Sequence, residues 1–140
     1  MGAGIAQVVA QAGYDTVVYD VSQDFIDRGL GKIRNFLQGS RERGKISGEQ
    51  EEQILGRLSG SLIMDDLGAA GLIIEAAPEN LKLKREIFQR LDALCDSGTL
   101  LATNTSSLSV TAVATATKSP HRVLGLHFFN PPPLMGLVEV

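Results

Sequence analysis

Two side chains twelve positions apart, His127 and Glu139, are of the types that proton transfer needs. Histidine titrates near neutral pH and acts as acid or base when a partner orients its ring. A carboxylate bonded to one ring nitrogen fixes the tautomer and leaves the other nitrogen for chemistry. The sequence between them favours a meeting. Residues 123–128 read as a strand, Asn130-Pro131-Pro132-Pro133 cannot continue a ladder, and Leu137-Val138-Glu139-Val140 begins another strand. A reversal of this kind would let His127 and Glu139 meet side by side. Spacing alone is met more often by a core histidine next to a surface glutamate.

A second constellation lies at the other end. Met1-Gly2-Ala3-Gly4-Ile5-Ala6 has the form of the tail of a G-x-G-x-x-G dinucleotide fingerprint, with Gly2 as its third glycine. The strand and the two phosphate-facing glycines that precede that position in the motif are not in the sequence. A Gly-Ala helix start that binds nothing fits the segment equally well. Asp20 closes the next strand, Thr16-Val17-Val18-Tyr19-Asp20, where a carboxylate can accept from ribose hydroxyls. A 2′-phosphate there would meet like charge, so Asp20 favours NAD over NADP. The plain alternative is a turn aspartate at a strand end.

The elements that must hold these groups alternate. Ile5, Val8, Val9 and Ala12 recur at helical spacing, and Gly13 supplies a stop. Ser22 caps a long helix with Ile26, Leu30, Ile33 and Leu37 on one stripe. Ser47 and Gln50 form a capping-box pattern for a short helix through Ile54, Leu55 and Leu58. Leu62-Ile63-Met64 is a weak strand and Leu72-Ile73-Ile74-Glu75-Ala76 a strong one. Pro78-Glu79-Asn80 opens a helix that turns Ile87, Phe88, Leu91 and Leu94 inward. Residues 100–104 form a strand and residues 111–117 a short helix. Alternation of this kind predicts an α/β fold, a Rossmann-like doubly wound and mostly parallel sheet, here lacking its first strand.

Composition narrows the class. The 140 residues carry a net charge of -3, which excludes a globally basic nucleic-acid binder. Hydrophobic residues at 44% and charged ones at 21% suit a globular core. One cysteine, Cys95, excludes an intramolecular disulfide scaffold, fits a reducing compartment and reads as packing. No apolar run reaches the roughly 20 residues of a membrane span, and Met1 to Ala10 lack a charged n-region, so neither a membrane partner nor a signal peptide is expected. No metal ligand set is picked out.

Three ordered segments then carry a resemblance. Ile74-Glu75-Ala76-Ala77-Pro78-Glu79-Asn80-Leu81, Thr103-Asn104-Thr105-Ser106-Ser107-Leu108 and Gly125-Leu126-His127-Phe128-Phe129-Asn130-Pro131 resemble the L-3-hydroxyacyl-CoA dehydrogenase family, its 3-hydroxybutyryl-CoA members most of all. The likeness runs from Gly2 to Val140. It covers that family's NAD-binding domain, residues 1–140, without its first strand and without the helical C-terminal domain. The resemblance implies a hydride transfer between NAD(H) and a 3-hydroxyacyl-CoA/3-ketoacyl-CoA pair. It implies that His127 is the base, Glu139 its partner, Ser106 the serine on the substrate oxygen, and Asn130 a neighbour of the nicotinamide and the reacting carbon. Glu79 and Lys84 would lie beside the cofactor with Gly2 and Asp20.

Blander roles remain for some of these. Ser106 and Asn104 suit turns or caps, Glu79 a first helical turn, and Lys84 a solvated helix face. The basic residues Lys32, Arg34, Arg41, Arg43 and Lys45 suit a solvated helix end, or the phosphates of an acyl-CoA. A cytoplasmic homo-oligomer is the expected setting of the full-length protein. A non-catalytic homologue of the same fold is the alternative. A 6-phosphogluconate-type dehydrogenase is disfavoured, since a lysine base would be expected there.

Overall fold

The computed structural model describes all 140 residues. The chain divides into two compact units, Met1–Met64 with Pro131–Leu134, and Asp65–Asn130 with Met135–Val140.

The first unit runs α1 (Gly2–Gln11), β1 (Thr16–Tyr19), α2 (Gln23–Glu42), α3 (Gly48–Gly56) and β2 (Leu58–Ser61). Its core joins Ala6 and Ala10 of α1 to Ile33 and Leu37 of α2 and Ile54 of α3. The buried stripe of α1 therefore differs from the one the periodicity predicts. Ile5 is buried, Val8 and Val9 are half-buried, and Ala12 is exposed. Short alanines win because they let the two helices approach closely. A Cβ added at Gly29 of α2 would sit 3.6 Å from that of Ala3. Gly13, at φ 99°, turns the chain from α1 into β1 as expected. The Ser47–Gln50 capping box closes in both directions, at 2.8 and 3.1 Å.

The second strand of this unit is displaced from its expected place. Leu58–Ser61, and not Leu62–Met64, pairs in parallel with β1, from Thr16↔Leu58 to Tyr19↔Ser61. Leu62 and Ile63 are exposed, and Met64–Leu67 forms a 3₁₀ turn. At Gly60 this strand passes close under α2. A Cβ there would lie 2.3 Å from Cγ2 of buried Ile26, so the position suits glycine.

The second unit runs β3 (Leu72–Glu75), α4 (Leu81–Leu94), β4 (Leu100–Thr103), α5 (Val110–Ala114), a 3₁₀ turn at Pro120–Arg122, β5 (Val123–Gly125), β6 (His127–Phe128) and β7 (Val138–Glu139). Strands β3, β4 and β5 are parallel and adjacent in that order. The central position of β4 explains why Leu101, Ala102 and Thr103 are fully buried. On α4 the inward residues are Lys84, Phe88 and Leu91, while Ile87 and Leu94 are half-buried. The stripe is rotated because Lys84 has a buried partner in β3, described below. The expected single strand over residues 123–128 breaks at Leu126, whose N–H bonds to the Thr103 carbonyl at 3.0 Å. Beyond the break, β6 turns to pair antiparallel with β7.

One side chain pins the far end of this unit. Arg122, 4% exposed, donates to the Asp92 carboxylate and carbonyl at 2.8 Å each and to the Asp96 carbonyl at 2.5 Å. Burial would raise the Asp92 pKa, but the Arg122 hydrogen bonds and charge and the Lys118 amide hold it below the usual carboxylate value.

Strand β1 pairs only with β2, and β3 only with β4, so each keeps one edge without a ladder partner. Val17 and Leu72 on these strands are each 44% exposed. Open edges of this kind recruit other chains. The purified 140-residue polypeptide should therefore give a light-scattering mass above the monomer, rising with concentration. A constant monomer mass would show that the edges are shielded.

Candidate active site

Glu75, Glu79 and Lys84 gather with the 103–107 segment at the C-terminal ends of β3 and β4. Open parallel sheets bind ligands there. The construction starts from Glu75, the last residue of β3 and 6% exposed. Its Oε1 accepts from the Ala77 N–H at 2.6 Å and from Lys84 Nζ at 2.7 Å. Its Oε2 accepts from the Thr103 hydroxyl at 2.8 Å. Lys84, 1% exposed, also donates to the Ala77 carbonyl at 3.1 Å and lies 3.6 Å from Glu79 Oε2. The solvated reading of Lys84 is thus overturned. Its ammonium is interior and tied to the 75–79 turn.

Asn80 caps α4, its Oδ1 accepting from the Leu83 N–H at 3.0 Å. That leaves Glu79 outside the helix and free to reach across to the turn after β4. Its Oε1 accepts from the Thr105 hydroxyl, from the Ser106 N–H at 3.1 Å, and from the N–H and hydroxyl of Ser107 at 3.2 Å each. The Thr105 hydroxyl, with the amide and hydroxyl of Ser107 and the Lys84 charge, holds the Glu79 pKa down to about 2 against the opposing effect of burial. Glu79 is therefore more than a first-turn carboxylate. Ser106 itself is exposed, as is Asn130.

The same turn reaches the histidine strand. The Asn104 N–H bonds to the Glu75 carbonyl at 2.8 Å, and its Oδ1 accepts from the Phe128 N–H at 2.7 Å. His127 precedes Phe128 and stands directly opposite Glu139 in the β6–β7 ladder. Nδ1 of His127 is 2.9 Å from Glu139 Oε2, as the proline-rich reversal predicts. The ring is partly exposed, at 23%, and tilts against Phe129 with centroids 4.8 Å apart. With Nδ1–H given to Glu139, Nε2 carries the lone pair.

In the first unit, Gly2 is the exposed first residue of α1. Asp20 follows β1, half-buried, with its Oδ1 accepting from the Val21 N–H at 2.7 Å. The start of α1 has no side-chain cap and no acidic residue in its first turn, so its N–H groups suit an anionic group. Together with a carboxylate beyond β1, these residues fit a dinucleotide. The basic residues Lys32, Arg34, Arg41, Arg43 and Lys45 are all exposed, and Arg41 is engaged by Glu51 at 2.9 Å. Sequence reasoning does not single out Glu75, Thr103 or Thr105 as site residues. The signal it holds is a carboxylate closing an otherwise apolar strand, which must find a buried partner.

No helix is long and apolar enough to cross a membrane. The NAD-binding domain family of 3-hydroxyacyl-CoA dehydrogenase matches residues 1–140. A probable 3-hydroxybutyryl-CoA dehydrogenase of Deinococcus radiodurans is 44% identical over all of this chain and 50% of its own length. A 3-hydroxyadipyl-CoA dehydrogenase of Escherichia coli is 47% identical over all of this chain and 30% of its own. The chain thus spans half or less of these relatives. The crystal structure of 3-hydroxybutyryl-CoA dehydrogenase from Escherichia coli superposes with a TM-score of 0.97 at 46% identity, over 99% of this chain and 29% of that one. The (S)-3-hydroxybutyryl-CoA dehydrogenase from Ralstonia eutropha gives 0.96 at 38%, over 99% and 49%. The Rossmann-like α/β fold read from the alternation is the fold of these neighbours. By fold and by sequence along its whole length, this chain belongs to the NAD-binding domain family of the 3-hydroxyacyl-CoA dehydrogenases.

Proposed function

We propose that the chain supplies the cofactor-binding and acid–base half of an enzyme that moves a hydride between NAD(H) and a 3-hydroxyacyl-CoA/3-ketoacyl-CoA pair. The observation that carries this reading is the in-register His127–Glu139 pair at 2.9 Å. In the oxidative direction Nε2 of His127 takes the proton of the 3-hydroxyl group. Glu139 holds the ring by Nδ1 and stabilises the imidazolium that forms. In the reductive direction the same imidazolium returns the proton to the nascent alkoxide. Ser106 holds the substrate oxygen by its hydroxyl, and Asn130 lies beside the reacting carbon. Nicotinamide, when bound, is the partner that exchanges the hydride with C3. Gly2, Asp20 and Glu79 are the residues that would face the dinucleotide, while Lys84 acts from the interior through Glu79. Fatty-acid or butyrate metabolism, the cytoplasm and a homo-oligomer are the setting that goes with this reading.

The test is turnover of the full-length gene product with acetoacetyl-CoA, followed by loss of NADH absorbance. No turnover by a folded protein would refute the reading. The same assay examines Asp20. NADH should be strongly preferred over NADPH, because a 2′-phosphate meets the carboxylate. Asp20→Ser should narrow that preference, and equal use of both cofactors by the unaltered enzyme would remove the assignment.

A further inference from the structure

Building on the reading of Ser106 as the substrate-oxygen contact, we propose that Glu79 is a positioning residue that clamps the turn after β4 and so aims the Ser106 hydroxyl. Four donors from three consecutive residues converge on one oxygen of Glu79. They are the hydroxyl of Thr105, the N–H of Ser106, and the N–H and hydroxyl of Ser107. An exposed turn with no such anchor would sample many backbone states. Here the backbone N–H of Ser106 is itself a bonded group, so the Ser106 side chain starts from a fixed Cα.

The clamp is held in turn from behind. Lys84 lies 3.6 Å from the other Glu79 oxygen and is fixed by Glu75 and the Ala77 carbonyl. Glu75 also holds Thr103, the residue from which the turn departs. Thr105 completes the arrangement, since its oxygen accepts from the Leu108 N–H at 2.9 Å while its hydroxyl proton goes to Glu79. The folded-state pKa of Glu79, about 2, lies below its ordinary 4.5. A group depressed in this way contributes fully above its ordinary value and is lost only as pH falls through the folded one. The clamp is therefore charged throughout the working range of a neutral enzyme.

Thr105→Val tests this in the full-length gene product, because it removes the clamp hydroxyl and leaves the Glu79 side chain in place. Expected is a fall in kcat of about tenfold to a hundredfold, the scale of a displaced reacting group, with NADH affinity little changed. Thr105→Ser restores the hydroxyl and should recover most of that loss. Glu79→Gln should reduce kcat as well, and the double variant Glu79→Gln/Thr105→Val should be little worse than the worse single one. Effects that multiply in the double variant, or a Thr105→Val enzyme with unchanged kcat, would overturn the clamp. Ser106→Ala separates this from the underlying reading. If Ser106→Ala is impaired while Thr105→Val is not, the clamp alone fails. If Ser106→Ala turns over normally, the role of Ser106 fails and the clamp with it.

Discussion

His127→Gln in the full-length gene product should lower kcat by about two to four powers of ten, the range of general acid–base catalysis. The substitution keeps a polar side chain of similar size but removes the group that can carry the proton. Because the ring is partly exposed and pairs with Glu139 at the edge of the unit, folding should survive the change. NADH affinity should change far less than turnover, since His127 handles the proton and not the dinucleotide. Glu139→Gln should also impair turnover, because the imidazolium loses its charged partner. Stopped-flow turnover beside NADH titration separates the two quantities. A His127→Gln enzyme that retains its full kcat would remove the acid–base role.

The second large effect is on stability. Lys84→Met should destabilise the folded state by about 3–5 kcal/mol, the cost of leaving a buried charge without its partner. The side chains of Lys84 and Glu75 are only 1% and 3% exposed, and they meet at 2.7 Å. Methionine fills similar volume but offers Glu75 no positive charge. Glu75 would still hold the Ala77 N–H and the Thr103 hydroxyl, so the damage is electrostatic more than geometric. Adding Glu75→Gln to Lys84→Met should recover part of the loss, because an amide is cheaper to bury than an unpaired carboxylate. Denaturant titration of the three variants gives the comparison. A loss below about 1 kcal/mol in Lys84→Met would place this pair with weak surface bridges.

Much of this architecture is legible in the sequence. The alternation of strands and helices, the stop at Gly13, the Ser47–Gln50 capping box and the opening of α4 after Pro78 depend on residues within a few positions of one another. Local rules reach that far. The His127–Glu139 pair is legible in part, because a proline-rich reversal between two short strands lets the two residues meet, while the register that sets them opposite is seen only in the structure. Asp20 is equally visible, as a carboxylate at the end of a β-branched run.

Other features are decided only when distant segments meet. Strand β2 falls at Leu58–Ser61, where Ile26, 34 positions away in sequence, leaves no room for a side chain at Gly60. Propensity favours Leu62-Ile63-Met64 and cannot register that clearance. The inward face of α1 follows its alanines because α2 lies against them. Lys84 reads as a surface residue until Glu75 is seen to be buried beside it. Glu79 gains its hydrogen bonds from residues 26 to 28 positions on, at a turn whose own sequence names no partner. Buried polar groups must be satisfied. Only the packed chain shows that Glu75, Lys84 and Arg122 are buried, and which groups satisfy each of them.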